Sequence, residues 1–191
     1  AARGFEADLV VAVPDTSRPA AMAMAEELGL PNREGFIKNR YSGRTFIMPD
    51  QATRNAALRL KLNPVREFFE GQRVLLVDDS IVRGNTMRRI VQMLRALGPK
   101  ELHLAIFSPP VAHPCFYGID MPSKDELLAS QLPEHELADY FEADSLTYLS
   151  VDALHEVASE SICDACFTGR YPIVLEAEER QAIVRARRPA A

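Results

Sequence analysis

The sequence predicts an α/β domain with a mostly parallel sheet flanked by helices, and three observations carry that prediction. Two short runs, Leu9 to Val13 (LVVAV) and Val74 to Val77 (VLLV), are apolar throughout, as in strands covered on both faces. Each is followed directly by a short polar loop and then by a helical pattern. The chain of 191 residues, 47% hydrophobic and 26% charged, is long enough to bury one full core.

Taken in order, the first strand ends at Pro14-Asp15-Thr16-Ser17-Arg18-Pro19, and Ala20 to Leu28 reads as a helix stopped by Gly29 and Pro31. Gly35 to Ile47 then places three cations, Lys38, Arg40 and Arg44, in seven residues with glycines on both sides. It reads either as a β-hairpin with a solvated basic turn or as a cationic loop able to close over an anion. Further basic residues, Arg54, Arg59, Lys61 and Arg66, follow on an expected helix. The second strand leads to a helix over Met87 to Leu97, a third strand covers Leu102 to Phe107, and Lys124 to Ser130 has helical character. A strand within Ala143 to Val151 and a helix over Asp152 to Ala158 complete the pattern, with no internal repeat.

The chemistry concentrates after the second strand. Asp78 and Asp79 fall at its carboxyl end, where open α/β sheets bind ligands. Ser80, Ile81, Val82, Arg83, Gly84, Asn85 and Thr86 follow, a loop that can aim backbone N–H groups at one anion ahead of a helix. The carboxylates suit ribose hydroxyls or a hard cation such as Mg2+, and the loop suits a phosphate, so the combination reads as a sugar-phosphate site. Thr16 or Ser17 in the first loop could add an oxygen to the same cation. Taken singly, either loop also serves as a plain helix cap, and it is their pairing at two strand ends that favours a ligand. No G-x-x-x-x-G-K-[ST] motif occurs, which argues against a P-loop NTPase.

Net charge of −5 argues against a general nucleic-acid or anionic-membrane binder. No apolar stretch approaches a membrane span and no signal peptide is readable, so a cytoplasmic protein is expected. Three cysteines, Cys115, Cys163 and Cys166, point to reduced thiols or a metal site. The Cys163-Asp164-Ala165-Cys166 spacing can put two thiolates on one metal, and it has zinc and redox readings as well. Packing as small apolar groups is the remaining alternative.

The string from Val74 to Thr86 resembles the 5-phosphoribosyl-1-pyrophosphate (PRPP) motif of type I phosphoribosyltransferases. That resemblance implies the type I fold with a C-terminal extension. It implies that Asp78 and Asp79 hold the ribose and its Mg2+, that Ser80 to Thr86 cradle the 5-phosphate, and that Asp15, Thr16 and Ser17 form a pyrophosphate loop. Thr16 would join Asp78 and Asp79 on the Mg2+.

More specifically, KNRYSGRTFI, SPP…PCFYGIDMP…ELLAS and CDACFTG resemble the glutamine phosphoribosylpyrophosphate amidotransferase family, from about Ala7 to Pro172. In that family the reaction is transfer of ammonia, drawn from glutamine, to PRPP, giving 5-phosphoribosylamine and pyrophosphate at the first committed purine step. The resemblance assigns catalytic roles to Lys38, Arg40, Tyr41 and Arg44 of the flexible loop. It further implies purine nucleotides as inhibitors and a homo-oligomer. The cluster-bearing subgroup matches at Cys115, Cys163 and Cys166, which implies a [4Fe-4S] centre whose fourth ligand lies outside this chain.

Two departures stand out. Ala1 is neither the glutaminase nucleophile nor followed by a glutaminase domain, so the chain is expected to be an N-terminally truncated piece, with residues 1–150 binding PRPP and 151–191 forming the extension. Asn85 replaces a hydroxylated residue usual in the family, which should weaken one side-chain contact to phosphate while leaving the backbone cradle intact. A nucleobase phosphoribosyltransferase and a non-catalytic PRPP-sensing regulator are the competing functions.

Overall fold

The computed structural model describes residues 6–38, 62–119, 123–158, 162–176, 178–180 and 182–183. Its centre is a five-stranded sheet of β1 (Leu9–Ala12), β2 (Asn32–Arg33), β5 (Arg73–Asp78), β6 (Glu101–Ile106) and β7 (Ser145–Tyr148), in the order β2-β1-β5-β6-β7. Every pairing in it is parallel, with Val11 level with Leu76, Leu76 with Leu104, and Ile106 with Tyr148. A separate antiparallel pair joins β3 (Phe36–Lys38) to β4 (Leu62–Pro64).

Strand side chains alternate between two cores, as the two-residue period requires. Leu9, Val11, Val74, Leu76, Leu102 and Leu104 face the larger core, while Val10, Leu75, Val77 and Ala105 face the smaller one. Helix α1 (Arg18–Leu28) covers the smaller core through Ala21 and Ala25, whose small side chains let the helix sit close to the sheet. Helix α2 (Asn85–Arg95) buries Met87, Ile90, Val91 and Leu94 in the larger one, at helical spacing. Two helices further on, α3 (Leu128–Gln131) and α4 (Glu134–Phe141), add Leu128, Leu137 and Phe141 to that core. Next come α5 (Val151–Val157) and the single turn α6 (Ala165–Thr168).

The first helix starts at Arg18, ahead of the expected Ala20, because Pro19 fits the first turn, where its missing N–H is not needed. Helix α2 likewise begins at Asn85, ahead of Met87, since Gly84 at φ 75° supplies the turn that starts it. The helix expected over Lys124 to Ser130 is broken. Lys124–Glu126 forms a 3-10 turn, Leu127 is extended and fully buried, and the Leu128 N–H donates to the Val82 carbonyl at 2.9 Å. Helix α4 is not anticipated in the reading above, although Pro133, Glu134 and Glu136 before Leu137 form a helix start with acids in the first turn. Among the described residues no helix is long and apolar enough to cross a membrane.

Candidate active site

The strand order reverses between β1 and β5, so the connections leaving their carboxyl ends diverge to opposite faces of the sheet and leave a crevice. A cleft of about 630 Å3 occupies that position, within the usual size of small-ligand sites. It is lined from β1 by Val13, Pro14 and Thr16, and from β5 onward by Asp78 to Met87 and by Arg89. Topology therefore unites the two loops that the sequence places far apart.

Asp78, the last residue of β5, is half-buried. Burial pushes its carboxyl up to about 7, and the charge of Asp79 adds to the rise, while the Asp79 N–H donating to Asp78 Oδ1 at 2.9 Å opposes it. The Ser80 hydroxyl donates to Asp79 Oδ1 at 3.0 Å, which fixes the second carboxylate. Two carboxylates sharing a crevice with the Thr16 hydroxyl form a set of hard oxygen donors, and the raised Asp78 value marks a place where a cation would be favourable.

The other half of the cleft is the start of α2. No side chain caps this helix and no acid lies in its first turn, so its free N–H groups and positive dipole end face the cleft unanswered. Gly84 is required twice over. Its φ is 75°, and a Cβ there would stand 2.6 Å from Leu128 Cδ2 and 3.2 Å from Phe141 Cζ. Arg83 pairs with Glu126 at 2.9 Å, so the 3-10 turn braces the loop from outside. Ile81 is buried in the larger core, so it offers the cleft backbone only. Val82, half-buried, gives its carbonyl to Leu128, while Asn85 and Thr86 are exposed at the helix start.

The first loop is less uniform than its sequence implies. Thr16 lines the cleft, but Ser17 is fully buried, and its hydroxyl donates to the Val13 carbonyl instead of capping α1. Asp15 binds Lys38 Nζ at 2.5 Å and lies 3.8 Å from Arg18, so the basic segment is anchored to this loop at its beginning. Arg40, Tyr41 and Arg44 lie outside the described residues, as do Arg54, Arg59 and Lys61. Arg66 sits in a 3-10 turn over Arg66–Phe68 and pairs with Glu70 at 3.4 Å, as a solvated structural residue does. Sequence reading missed Arg89, which stands one helical turn beyond Asn85, and the i to i+4 spacing was the signal available for it.

The segments that carry Cys115 and Cys166 meet away from this cleft. Both the Ala112 and His113 N–H groups donate to the Cys166 carbonyl at 3.0 Å, bringing the segment that carries Cys115 against α6. The Cys166 thiol is pushed up, first by burial and then by the negative charge of Cys115, Cys163 and Asp164. None of the three cysteines is joined in a disulfide, and the Tyr117 N–H donates to Cys115 Sγ at 3.4 Å. Gly169 leaves room for His113, since a Cβ there would lie 2.9 Å from its ring. Among the described residues no three His, Cys, Asp or Glu side chains are gathered closely enough to hold a single metal ion.

A parallel sheet with a carboxylate pair and an uncapped helix start at its switch point is the arrangement of a ligand-binding α/β domain. The phosphoribosyl transferase domain profile matches residues 2–114, and the chain belongs to that family. Its relatives are more specific. The amidophosphoribosyltransferase of Synechocystis sp. is 51% identical over 173 residues, covering 89% of this chain and 35% of the relative. That of Bacillus subtilis is 52% identical over 174 residues, covering 87% and 37%. A solved structure of the allosteric regulatory enzyme of purine biosynthesis superposes with a TM-score of 0.84 at 47% identity, over 98% of this chain and 42% of that one. Glutamine PRPP amidotransferase from B. subtilis, complexed with ADP and GMP, gives 0.78 at 51% identity, over 89% and 39%. The chain spans about a third of the length of the curated relatives it matches.

Proposed function

We propose that this chain is the phosphoribosyltransferase portion of an amidophosphoribosyltransferase, and that it binds PRPP and supports attack of ammonia on its C1 to give 5-phosphoribosylamine and pyrophosphate. The observation that carries the reading is the single cleft joining Asp78 and Asp79 to the uncapped start of α2. Residues 1–150 would form the PRPP-binding unit, with 151–191 as an extension, and glutamine would supply the ammonia through a glutaminase domain elsewhere in the parent protein.

In this reading the backbone from Ser80 to Thr86 holds the 5-phosphate, with Ile81 and Val82 contributing only main chain. Asp78 and Asp79 hold the ribose side of the cleft and, with Thr16, offer Mg2+ its oxygens. Bound there, Mg2+ would neutralise charge on the pyrophosphate. The C1–oxygen bond to pyrophosphate breaks as the C1–nitrogen bond forms on the opposite face, and the ammonia nitrogen gives up a proton. Binding the phosphate far from C1 supplies energy that fixes C1 for attack. Lys38, together with Arg40, Tyr41 and Arg44, would meet the charge that develops on the departing pyrophosphate.

The thiols of Cys115, Cys163 and Cys166 are the soft donors an iron–sulfur cluster takes, and the Cys166 thiol is pushed up by burial first and by the other two thiols after it. We therefore assign them to a [4Fe-4S] cluster that ties the extension to the segment around Cys115, with a fourth ligand from outside this chain. The B. subtilis relative carries ADP and GMP, which supports purine nucleotides as inhibitors here. A cytoplasmic homo-oligomer remains the expected assembly.

The test is ammonia-dependent release of pyrophosphate from PRPP by the full-length protein. Formation of phosphoribosylamine in step with pyrophosphate is expected. Release that requires a nucleobase instead would replace this reading with a nucleobase phosphoribosyltransferase.

A further inference from the structure

Among the described residues, four charged side chains line the cleft: Asp78, Asp79, Arg83 and Arg89. The two carboxylates belong to the ribose side, and Arg83 is already paired with Glu126 at 2.9 Å. Arg88, next in sequence to Arg89, lays its guanidinium over the Tyr140 ring, 5.1 Å from the centroid. Arg89 is different. It is half-buried at the cleft wall and forms no hydrogen bond, ion pair or ring contact among the described residues.

Its position suits it to a ligand in the cleft. Arg89 lies on the same face of α2 as Asn85, one turn on, and helical side chains lean back toward the N-terminus. The guanidinium therefore adds its charge to a helix end that is already positive, uncapped and without an acid in its first turn. Repulsion among these groups is relieved by a doubly charged anion, and a planar guanidinium with several N–H donors matches a phosphate monoester. Pyrophosphate is the weaker match, because the loop from Asp15 and its partner Lys38 lies toward the β1 side of the cleft.

We infer that Arg89 is a substrate-binding residue that pairs with the phosphate monoester of the sugar phosphate and sets the preference for 5-phosphorylated ribose over ribose itself. The identity of that sugar phosphate rests on the PRPP reading above. The backbone loop fixes where the phosphate sits, and Arg89 supplies the mobile cation that closes on it.

Calorimetric titration of the full-length protein with ribose 5-phosphate, and separately with pyrophosphate, tests this. Arg89→Gln should weaken ribose 5-phosphate about tenfold or more, the scale of a charge-assisted hydrogen bond, and Arg89→Lys should lose less. Pyrophosphate affinity should stay within about twofold of wild type in both variants, and so should the ribose 5-phosphate affinity of Arg88→Gln, whose cation is engaged by Tyr140. Circular dichroism confirms that each variant is folded. Unchanged ribose 5-phosphate affinity in Arg89→Gln overturns the inference and leaves the PRPP site standing. An equal loss in Arg88→Gln overturns it too, because the effect would then be the general field of the helix end. Failure of the wild type to bind ribose 5-phosphate would remove the PRPP reading and this inference together.

Discussion

Gly84 and Leu128 meet so closely that a methyl group on the glycine would lie 2.6 Å from Leu128 Cδ2. This contact joins the loop after β5 to a segment more than forty residues downstream, and the Leu128 N–H bond to Val82 and the Arg83–Glu126 ion pair reinforce it. The loop is thus held in shape from behind, by residues that do not line the cleft. Gly84→Ala would combine overpacking with a left-handed φ and should cost about 2–4 kcal/mol of stability. Denaturant unfolding would read that loss, and PRPP affinity should fall with it. A variant as stable as wild type would mean that the contact relaxes freely.

Asp78 gives a pH dependence with a definite sign. Its folded carboxyl is raised from 3.8 to about 7, so the native state holds the proton more tightly than the unfolded chain does. For an acid this burden is absent below pH 3.8, grows as pH rises through the interval, and is complete above pH 7. Asp78→Asn should therefore stabilise the ligand-free protein at pH 8 by up to about 4 kcal/mol and make little difference near pH 4. Unfolding curves at the two pH values check it, and a pH-independent difference would contradict the assignment.

Lys38 is docked on Asp15 at 2.5 Å, in the loop after β1. Lys38→Ala should lower kcat about tenfold or more while changing PRPP affinity less, because the group acts on charge that develops as pyrophosphate leaves. Steady-state kinetics with ammonia, paired with equilibrium binding, separate the two effects. Equal losses in both would reduce Lys38 to uniform binding.

Cluster assembly is testable by iron content. The full-length protein, made without oxygen, should hold about four irons per chain, and Cys163→Ser should lose both the iron and the brown colour. The extension should then become more open to proteolysis, since the cluster would secure it to the segment around Cys115. Stoichiometric zinc in place of iron would assign the thiols to a different metal.

The parts of this molecule written locally were legible in its sequence. Apolar runs marked β1, β5 and β6, and the two loops after β1 and β5 carried their own chemistry in adjacent residues. What escaped was set by distant partners. The break at Leu127 exists because Leu128 donates to Val82, and Ser17 leaves its capping role because its hydroxyl finds the Val13 carbonyl inside the fold. Arg89 was overlooked for a related reason, since it lies outside the contiguous motif and returns to the cleft only through the turn of α2. The order of strands, which makes one cleft of two loops, is a property of the whole sheet.

The most direct test of the central claim is calorimetry of the full-length protein with PRPP, with and without Mg2+, on the wild type and on Asp78→Asn and Asp79→Asn. One PRPP bound per chain, tightened by Mg2+ and weakened about tenfold or more in each variant, is the predicted result. Wild-type affinity retained in both correctly folded variants would contradict the placement of the PRPP site at the end of β5.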